Sequence, residues 1–229
     1  MDAALFEKTI TTLIRGLGLT IYIGVASIVL ASIVGTVFAL MRTSSHGVLA
    51  KFAFAYSTLF RGTPLLVQLF IFYYGVGTLS FVRESPALWW LFSDGARCAI
   101  LTIALNSGAY ISEVLRGGLQ SVPKGQIEAA KACGMPGLLR FRRIVFPLAI
   151  RQALPAYSNE LVLAIKGTSL ASTIAVMELT GYAKQLMSQS YVIVETFVVA
   201  GILYLAINLF LITCVHLLER WLHVAKVVR

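Results

Sequence analysis

The longest uncharged stretch of the chain, residues 16–41, is the feature that most limits its fold: 26 residues carry no charge and no histidine. As an α-helix it is long enough to cross a hydrocarbon core of roughly 30 Å. It also exceeds the roughly 7–15-residue apolar core of a signal peptide, and no small-residue cleavage site ends it, so we interpret it as a retained transmembrane helix. Only 13% of the 229 residues are charged, against about 25% in soluble domains. Lipid must therefore cover much of the surface.

Further apolar stretches predict an all-α membrane protein of one domain, residues 1–229, with five transmembrane helices. The expected helices are residues 17–41, 52–77, 95–115, 152–166 and 196–217. Pro64 lies inside the second helix, where its ring and missing N–H predict a break or kink. The third helix has only 15 uncharged residues, 98–112, and the fourth carries Asn159 and Glu160 in its middle. Residues 168–177 are expected to form a re-entrant or tilted piece, followed by an amphipathic segment to about Ser190.

Two predicted helices carry stripes of small residues, which allow another helix to approach closely in a membrane. The stripes recur every four residues and comprise Ser27, Ala31 and Gly35 in the first helix and Ala104, Gly108 and Ser112 in the third.

The distribution of positive charge predicts the orientation. With five spans and an outside amino terminus, 13 of the 19 lysines and arginines, including Lys226 and Arg229, fall on the inner side. Cytoplasmic loops are enriched in these residues. We therefore expect a periplasmic amino terminus, a cytoplasmic carboxyl terminus and a cytoplasmic connection, residues 117–150, between the third and fourth helices.

This connection predicts two short helices. Pro123 suits the first turn of a helix over residues 124–133, and Gly134 suits a left-handed stop with Pro136 two residues later. Pro136 can begin a second helix that carries Arg140, Arg142 and Arg143 and ends at Pro147. From these residues alone, a helix that contacts a soluble partner and an ordinary surface helix packed under its own bundle remain equally open.

The motif in this connection resembles a known one. Glu128-Ala129-Ala130, with Gly134 and an Ile144-Val145-Phe146-Pro147 ending, is similar to the EAA loop of ATP-binding-cassette (ABC) importer permeases, with Phe146 where the family usually has leucine. Other segments resemble polar amino-acid permeases: Arg61 to Gln68, Leu105 to Tyr110, Arg116 to Gly118 and Ser121 to Gln126. Residues 153–160 are most similar to the M-type subunit of histidine, arginine/ornithine and octopine importers.

The resemblance implies the type I importer (MetI-like) fold in a bacterial inner membrane, with five spans and an outside amino end. It implies that Glu128, Ala129, Ala130, Gly134 and Pro147 belong to a loop whose helix docks on an ATPase subunit. Expected partners are two copies of that ATPase, which would hold ATP and magnesium, a second homologous permease subunit, a periplasmic amino-acid-binding protein and membrane lipid. No cofactor is expected on this chain.

Polar residues within the predicted spans are candidates for substrate contact. Glu160 is the strongest, since an ionisable group in mid-span is costly and would suit a cationic substrate; a structural pair with Arg61 or Arg151, or a protonated glutamate, is the alternative. Thr63 beside the Pro64 break, where backbone amides could meet a substrate carboxylate, competes with a plain packing kink. The remaining candidates are Asn159 beside Glu160, Asn106 and Tyr110, for which helix–helix hydrogen bonding is the alternative, and Lys166 and Thr168 at a possible outer gate.

The function expected is import of a cationic amino acid (arginine, lysine, ornithine or histidine) or an opine, with glutamine or glutamate as the alternative. A passive channel or scaffold would explain the helices but not the EAA-like loop. An enzyme is disfavoured because the chain has no P-loop and no His-Glu-x-x-His motif. Its three scattered cysteines indicate neither a metal site nor a disulfide framework. Nucleic-acid binding is disfavoured because no basic stripe interleaved with aromatics is present.

Overall fold

The computed structural model describes residues 3–44 and 46–221, in which every regular element is a helix. Three of these helices are long: α1 (Ala3–Thr43), α6 (Gly95–Gln120) and α11 (Ile193–Trp221). The shorter α-helices are α2 (Gly47–Arg61), α3 (Leu65–Phe70), α4 (Ser80–Glu84), α5 (Pro86–Phe92), α7 (Lys124–Ala132), α8 (Gly137–Arg140), α9 (Phe146–Gly167) and α10 (Leu179–Ser190). Wider π turns occupy Ile71–Gly75 and Phe141–Val145, and tighter 3₁₀ turns occupy Val76–Thr78 and Thr168–Ile174.

Between three and five membrane spans are present in the described part of the chain. Parts of α1, α6 and α11 are long and apolar enough to cross a bilayer unaided. Two bent pairs can each serve as one further span, and they differ in their angle. The pair Gly47–Arg61 and Leu65–Thr78 is bent by 102°, and the pair Gly137–Ile174 and Leu179–Ser190 by 47°.

Several helices extend beyond the predicted bounds. Helix α1 starts at Ala3 rather than near residue 17, and α9 starts at Phe146 rather than near residue 152. The predicted bounds followed the apolar residues, which mark only the part of each helix that is suited to the hydrocarbon core of a membrane. Charged turns, such as the one with Glu7 and Lys8, remain helical outside it.

The prediction that the second connecting helix ends at Pro147 was wrong, because the helix continues from Gly137 to Ile174. Pro147 instead lies in the first turn of α9, directly after the π turn Phe141–Val145. In this turn the Phe146 N–H donates to the carbonyl of Phe141. The wider turn thus changes the pairing of backbone hydrogen bonds just before Pro147, which has no N–H to donate.

The two stripes of small residues pack against each other, which makes α1 and α6 the central pair. Ala31 and Ala104 are fully buried. A Cβ added to Gly35 would lie 2.5 Å from Ile111 Cγ2 and 3.0 Å from the carbonyl oxygen of Gly108. Ser27 Oγ also donates to the carbonyl of Ile100 at 3.4 Å. Small residues therefore set the distance between these helices, as predicted.

Helix α9 also packs on α6, and near the carboxyl-terminal end of α6 it does so through a glycine. A Cβ on Gly118 would lie 2.6 Å from the carbonyl oxygen of Ala149 and 2.9 Å from Ala153 Cβ. The neighbouring Gly117 has nothing within 4 Å of its added Cβ. The two adjacent glycines thus differ only in whether a side chain would strike α9.

We expect Gly118→Ala to destabilise the protein by about 1–3 kcal/mol, since an inserted methyl group must push two packed helices apart. Gly117→Ala should be neutral or stabilising by roughly 0.5–1 kcal/mol, because alanine favours a helix over glycine. The midpoint of thermal unfolding of the purified protein in detergent measures both. Equal midpoints for the two variants would contradict the packing described here.

Candidate functional site

A buried amide side chain helps to stabilise the bend in the second span. Helix α2 ends at Arg61 and α3 begins after Pro64, so backbone carbonyls near the bend lose their helical partners. Gln68 is 6% exposed. Its Nε2 atom donates to the carbonyl oxygens of Phe60 at 2.8 Å and Thr63 at 3.1 Å, and to Thr63 Oγ1 at 2.7 Å. This side chain thereby serves several of the acceptors that the break exposes.

Helix α6 closes the other side of the bend. Asn106 Nδ2 donates to the Phe60 carbonyl at 3.1 Å and to Gln68 Oε1 at 3.0 Å. The Tyr110 hydroxyl donates to the Arg61 carbonyl at 3.4 Å, and the Arg61 guanidinium lies 5.4 Å from the centre of the Tyr110 ring. The structure therefore brings together three predicted residues. We call the group Arg61, Thr63, Gln68, Asn106 and Tyr110 the break site.

Glu160 is the fourth predicted residue near the break site. It lies in the middle of α9 and is half-buried. The charge of Arg61 acts on its carboxylate, although in the described residues Glu160 forms no salt bridge. Arg61 at the end of α2 and Glu160 in α9 thus interact electrostatically without forming a direct ion pair in the described residues.

Asn159 and Lys166 lie elsewhere, in a cavity of about 470 Å³ between α9 and α11. Its polar lining includes Ser158, His216 and Glu219. Glu219 accepts a hydrogen bond from Ser158 Oγ at 3.4 Å and lies 3.4 Å from His216 Nδ1. Adjacent residues of a helix point about 100° apart, so Asn159 and its neighbour Glu160 serve different surfaces. The predicted substrate residues therefore divide into two groups.

Thr168 belongs to neither group. It is fully buried, and its Oγ1 donates to the Ile165 carbonyl at 2.7 Å in the turn that ends α9. The hydroxyl therefore stabilises the local backbone and lines neither the break site nor the α9–α11 cavity.

The EAA-like segment forms a short, largely exposed helix. Glu128 and Ala129 in α7 are exposed, and Ala130 is buried. Gly134 follows with φ of +72°. Its N–H donates to the Lys131 carbonyl at 2.9 Å, and the N–H of Met135 donates to the Ala130 carbonyl at 3.1 Å. This pair of bonds is a Schellman motif.

Glycine suits this end of α7 because residues with a side chain rarely adopt the left-handed backbone. Gly134 thus fixes where α7 ends and how the chain leaves it.

Two buried polar residues that were not among the sequence candidates form several hydrogen bonds each. The first, Gln68, could have been suspected as an amide four residues after a predicted helix break. The second, Glu178, is fully buried and accepts hydrogen bonds from the Gly181 N–H at 2.8 Å and the Tyr204 hydroxyl at 2.7 Å. Its signal was an isolated acidic residue, since residues 168–183 contain no other charge.

Curated relatives match almost the whole chain. The nopaline transport system permease protein NocM of Agrobacterium fabrum is 48% identical over 97% of this chain and 92% of its own length. The octopine transport system permease protein OccM of Rhizobium radiobacter is 49% identical over 95% of this chain and 89% of its own length. The histidine/lysine/arginine/ornithine transport system permease protein HisM of Salmonella typhimurium is 38% identical, covering 92% and 91%.

Solved structures share the fold. A crystal structure of an amino acid ABC transporter with histidines aligns with a TM-score of 0.84 at 30% identity, covering 96% of this chain and 98% of that chain. An inward-facing structure of the MetNI methionine ABC transporter aligns with a TM-score of 0.74 at 18% identity, covering 97% and 99%, which supports the fold alone.

The family described as "Binding-protein-dependent transport system inner membrane component" matches residues 27–224. Its match, the near-complete coverage of the relatives and the shared fold agree with the resemblance of the EAA-like segment. The chain therefore belongs to this family of inner-membrane permeases.

Proposed function

We propose that the chain is the membrane subunit of an ATP-driven ABC importer that moves a cationic amino acid or opine from the periplasm to the cytoplasm. The observation that carries this proposal is α7. An exposed nine-residue helix stands between two membrane-spanning helices, ends in a glycine with a left-handed backbone and carries the EAA-like residues. A passive channel has no need of such a helix.

The break site and Glu160 support a cationic substrate. Uncompensated polar groups within a membrane are costly and normally face a cavity or a polar partner. Arg61 offers a guanidinium that can bind a carboxylate. Glu160 offers a carboxylate for an ammonium, guanidinium or imidazolium group. An amino acid or opine with a positively charged side chain presents both of these groups.

The transporters named for the relatives agree with this chemistry. Nopaline, octopine, arginine and histidine occur in those names, and each of these compounds combines a carboxylate with a guanidinium or imidazole group. Glutamine and glutamate carry no cationic side chain and would leave Glu160 without a partner.

The direction of transport rests on the predicted topology. With the amino terminus outside, α7 and the arginines of the π turn Phe141–Val145 fall on the cytoplasmic side, where an ATPase would meet them. Of the residues in the charge argument, Lys226 and Arg229 lie outside the described part of the chain.

Other subunits complete the transporter. The α7 segment would dock on an ATPase subunit, present in two copies, that binds ATP and magnesium. A second homologous permease would supply the other wall of the pathway, and a periplasmic binding protein would deliver the substrate. The chain itself would carry no ATPase activity.

Glu160→Gln should lower ATP-driven uptake of radiolabelled arginine by at least about tenfold, since a charged hydrogen bond to the substrate becomes a neutral one. The measurement uses the co-purified complex in proteoliposomes with its binding protein, and it includes octopine and glutamine as further labelled substrates.

The matched control for this variant is Glu195→Gln, which changes an exposed glutamate in the first turn of α11 and should leave uptake unchanged. Unaltered arginine uptake by Glu160→Gln would end the assignment of Glu160 to the substrate. Glutamine as the preferred substrate would favour the other class of polar amino acid. Flux without ATP would favour a passive channel.

Gly134→Ala should lower ATP-driven uptake by about tenfold. Alanine in the left-handed conformation costs roughly 1–2 kcal/mol, so the end of α7 would shift away from its docked position. Glu128→Ala should act in the same direction, because it removes the exposed charge of α7. Uptake is measured on the same preparations as the amount of ATPase subunit that co-purifies with the permease.

Gly125→Ala is the control for this glycine. Gly125 also has open space around it but lies inside α7 with a helical backbone, so alanine should leave uptake intact. Equal uptake by Gly134→Ala and Gly125→Ala would show that the left-handed end of α7 is not required.

A further inference from the structure

A row of polar contacts joins α2 to α6 and leads from the break site toward the cytoplasmic end of α6. On α6, the contacting residues Asn106, Tyr110 and Glu113 recur at i, i+4 and i+7, so they share one face. Asn106 and Tyr110 donate to the last carbonyls of α2, as described above. Glu113 extends the row by a further turn, because Ser57 Oγ of α2 donates to Glu113 Oε1 at 3.1 Å. We call these contacts the α2–α6 seam.

Glu113 also binds two arginines. Arg116 donates to Glu113 Oε2 through Nε at 2.8 Å and lies 2.7 Å from it through Nη2, which is a two-pronged contact. Arg42, near the end of α1, places Nη1 3.3 Å from Glu113 Oε1. The side chains of Glu113 and Arg42 are each only 16% exposed. One carboxylate thus joins three helices, α1, α2 and α6, in a partly buried place.

This ionic group reaches the carboxyl-terminal end of α6. Arg116 Nη1 donates to Gln120 Oε1 at 2.6 Å, and Gln120 is the last residue of α6. Only residues 121–123 separate it from Lys124, the first residue of α7. A movement of α7 is therefore transmitted to α6 only a few residues from Glu113, the residue that joins α6 to α1 and α2.

We propose that Glu113 is a positioning residue for energy coupling. Its carboxylate fixes the cytoplasmic end of α6 to α2, so that a movement of α7 shifts α2 and the Arg61–Pro64 break together with α6. Without this contact, α6 would stay joined to the break only through Asn106 and Tyr110, so a movement of α7 would reach the break site less completely. The inference rests on the proposed function, because it takes α7 as the contact with the ATPase.

The test is the number of arginine molecules imported per ATP hydrolysed by the complete complex in proteoliposomes. Glu113→Gln should lower this ratio by about tenfold, while the ATPase rate stimulated by the loaded binding protein stays near that of the unaltered complex. Glu113→Asp, which keeps the charge, should recover part of the ratio. A clamp that only holds the fold together would lower uptake and ATPase rate in proportion.

A second variant isolates the link to α2. Ser57→Ala removes one hydroxyl from a buried position and leaves both arginines paired with Glu113. It should lower the ratio in the same direction, and because a glutamine at position 113 can still accept from Ser57, the double variant should lie at or below Glu113→Gln. If Glu113→Gln does not assemble, Ser57→Ala decides alone, and an unchanged ratio in it overturns the proposal.

Asp94→Asn is the matched control, since Asp94 is an acidic residue paired with an arginine of α6, Arg97, at 3.6 Å but at the opposite end of that helix. Its ratio should stay unchanged. If Glu113→Gln lowers uptake and ATPase rate in proportion, or lowers neither, the coupling role of Glu113 is overturned. The proposed function is unaffected by that result. Absence of ATP-driven uptake in the unaltered complex would overturn the proposed function, and this inference with it.

Discussion

The close contact between α1 and α6 determines where the other functional elements lie. In a bilayer, apolar side chains gain little by leaving lipid for protein, so helices associate mainly through close packing and interhelical hydrogen bonds. Gly35 and Ala31 of α1 provide that packing against α6. Helix α6 then supports the bend of the second span on one side, and α9 approaches it at Gly118 on another. The break site and Glu160 are thereby both positioned from one helix.

Polar groups within the membrane-spanning part are largely organised in pairs and small networks, which limits their cost. Gln68 and Asn106 serve the carbonyls of the broken span, and Glu113 is shared by two arginines. Arg61 and Glu160 differ from these groups, because in the described residues they form no direct ion pair with each other, although the charge of Arg61 acts on Glu160. Under the proposed function, this incomplete pairing is what would suit the two residues to a ligand that carries both charges.

The sequence was sufficient for the helical class, the small-residue stripes along which helices approach closely and the break at Pro64. It was insufficient for the site, for reasons that are geometric. Spacing along a helix tells which residues share a face, but not which helix that face meets, so the contacts of Asn106 with α2 and α3 could not be foreseen. Asn159 and Glu160 are adjacent in the sequence, yet the rotation of about 100° between neighbouring helical residues places them on different surfaces. Pro147 was interpreted as a helix end because a π turn leaves no signal in the composition.

The π turn Phe141–Val145 has one more consequence. A π turn contains one residue more than an α turn does, so everything that precedes it is rotated by about 100° relative to an unbroken helix. The extra residue therefore sets the direction, around the axis of α9, in which α8 and the preceding α7 project. Removing a single residue from this turn would swing the exposed Glu128 through about a quarter of a circle, while the lipid-facing contacts of α9 stayed as they are.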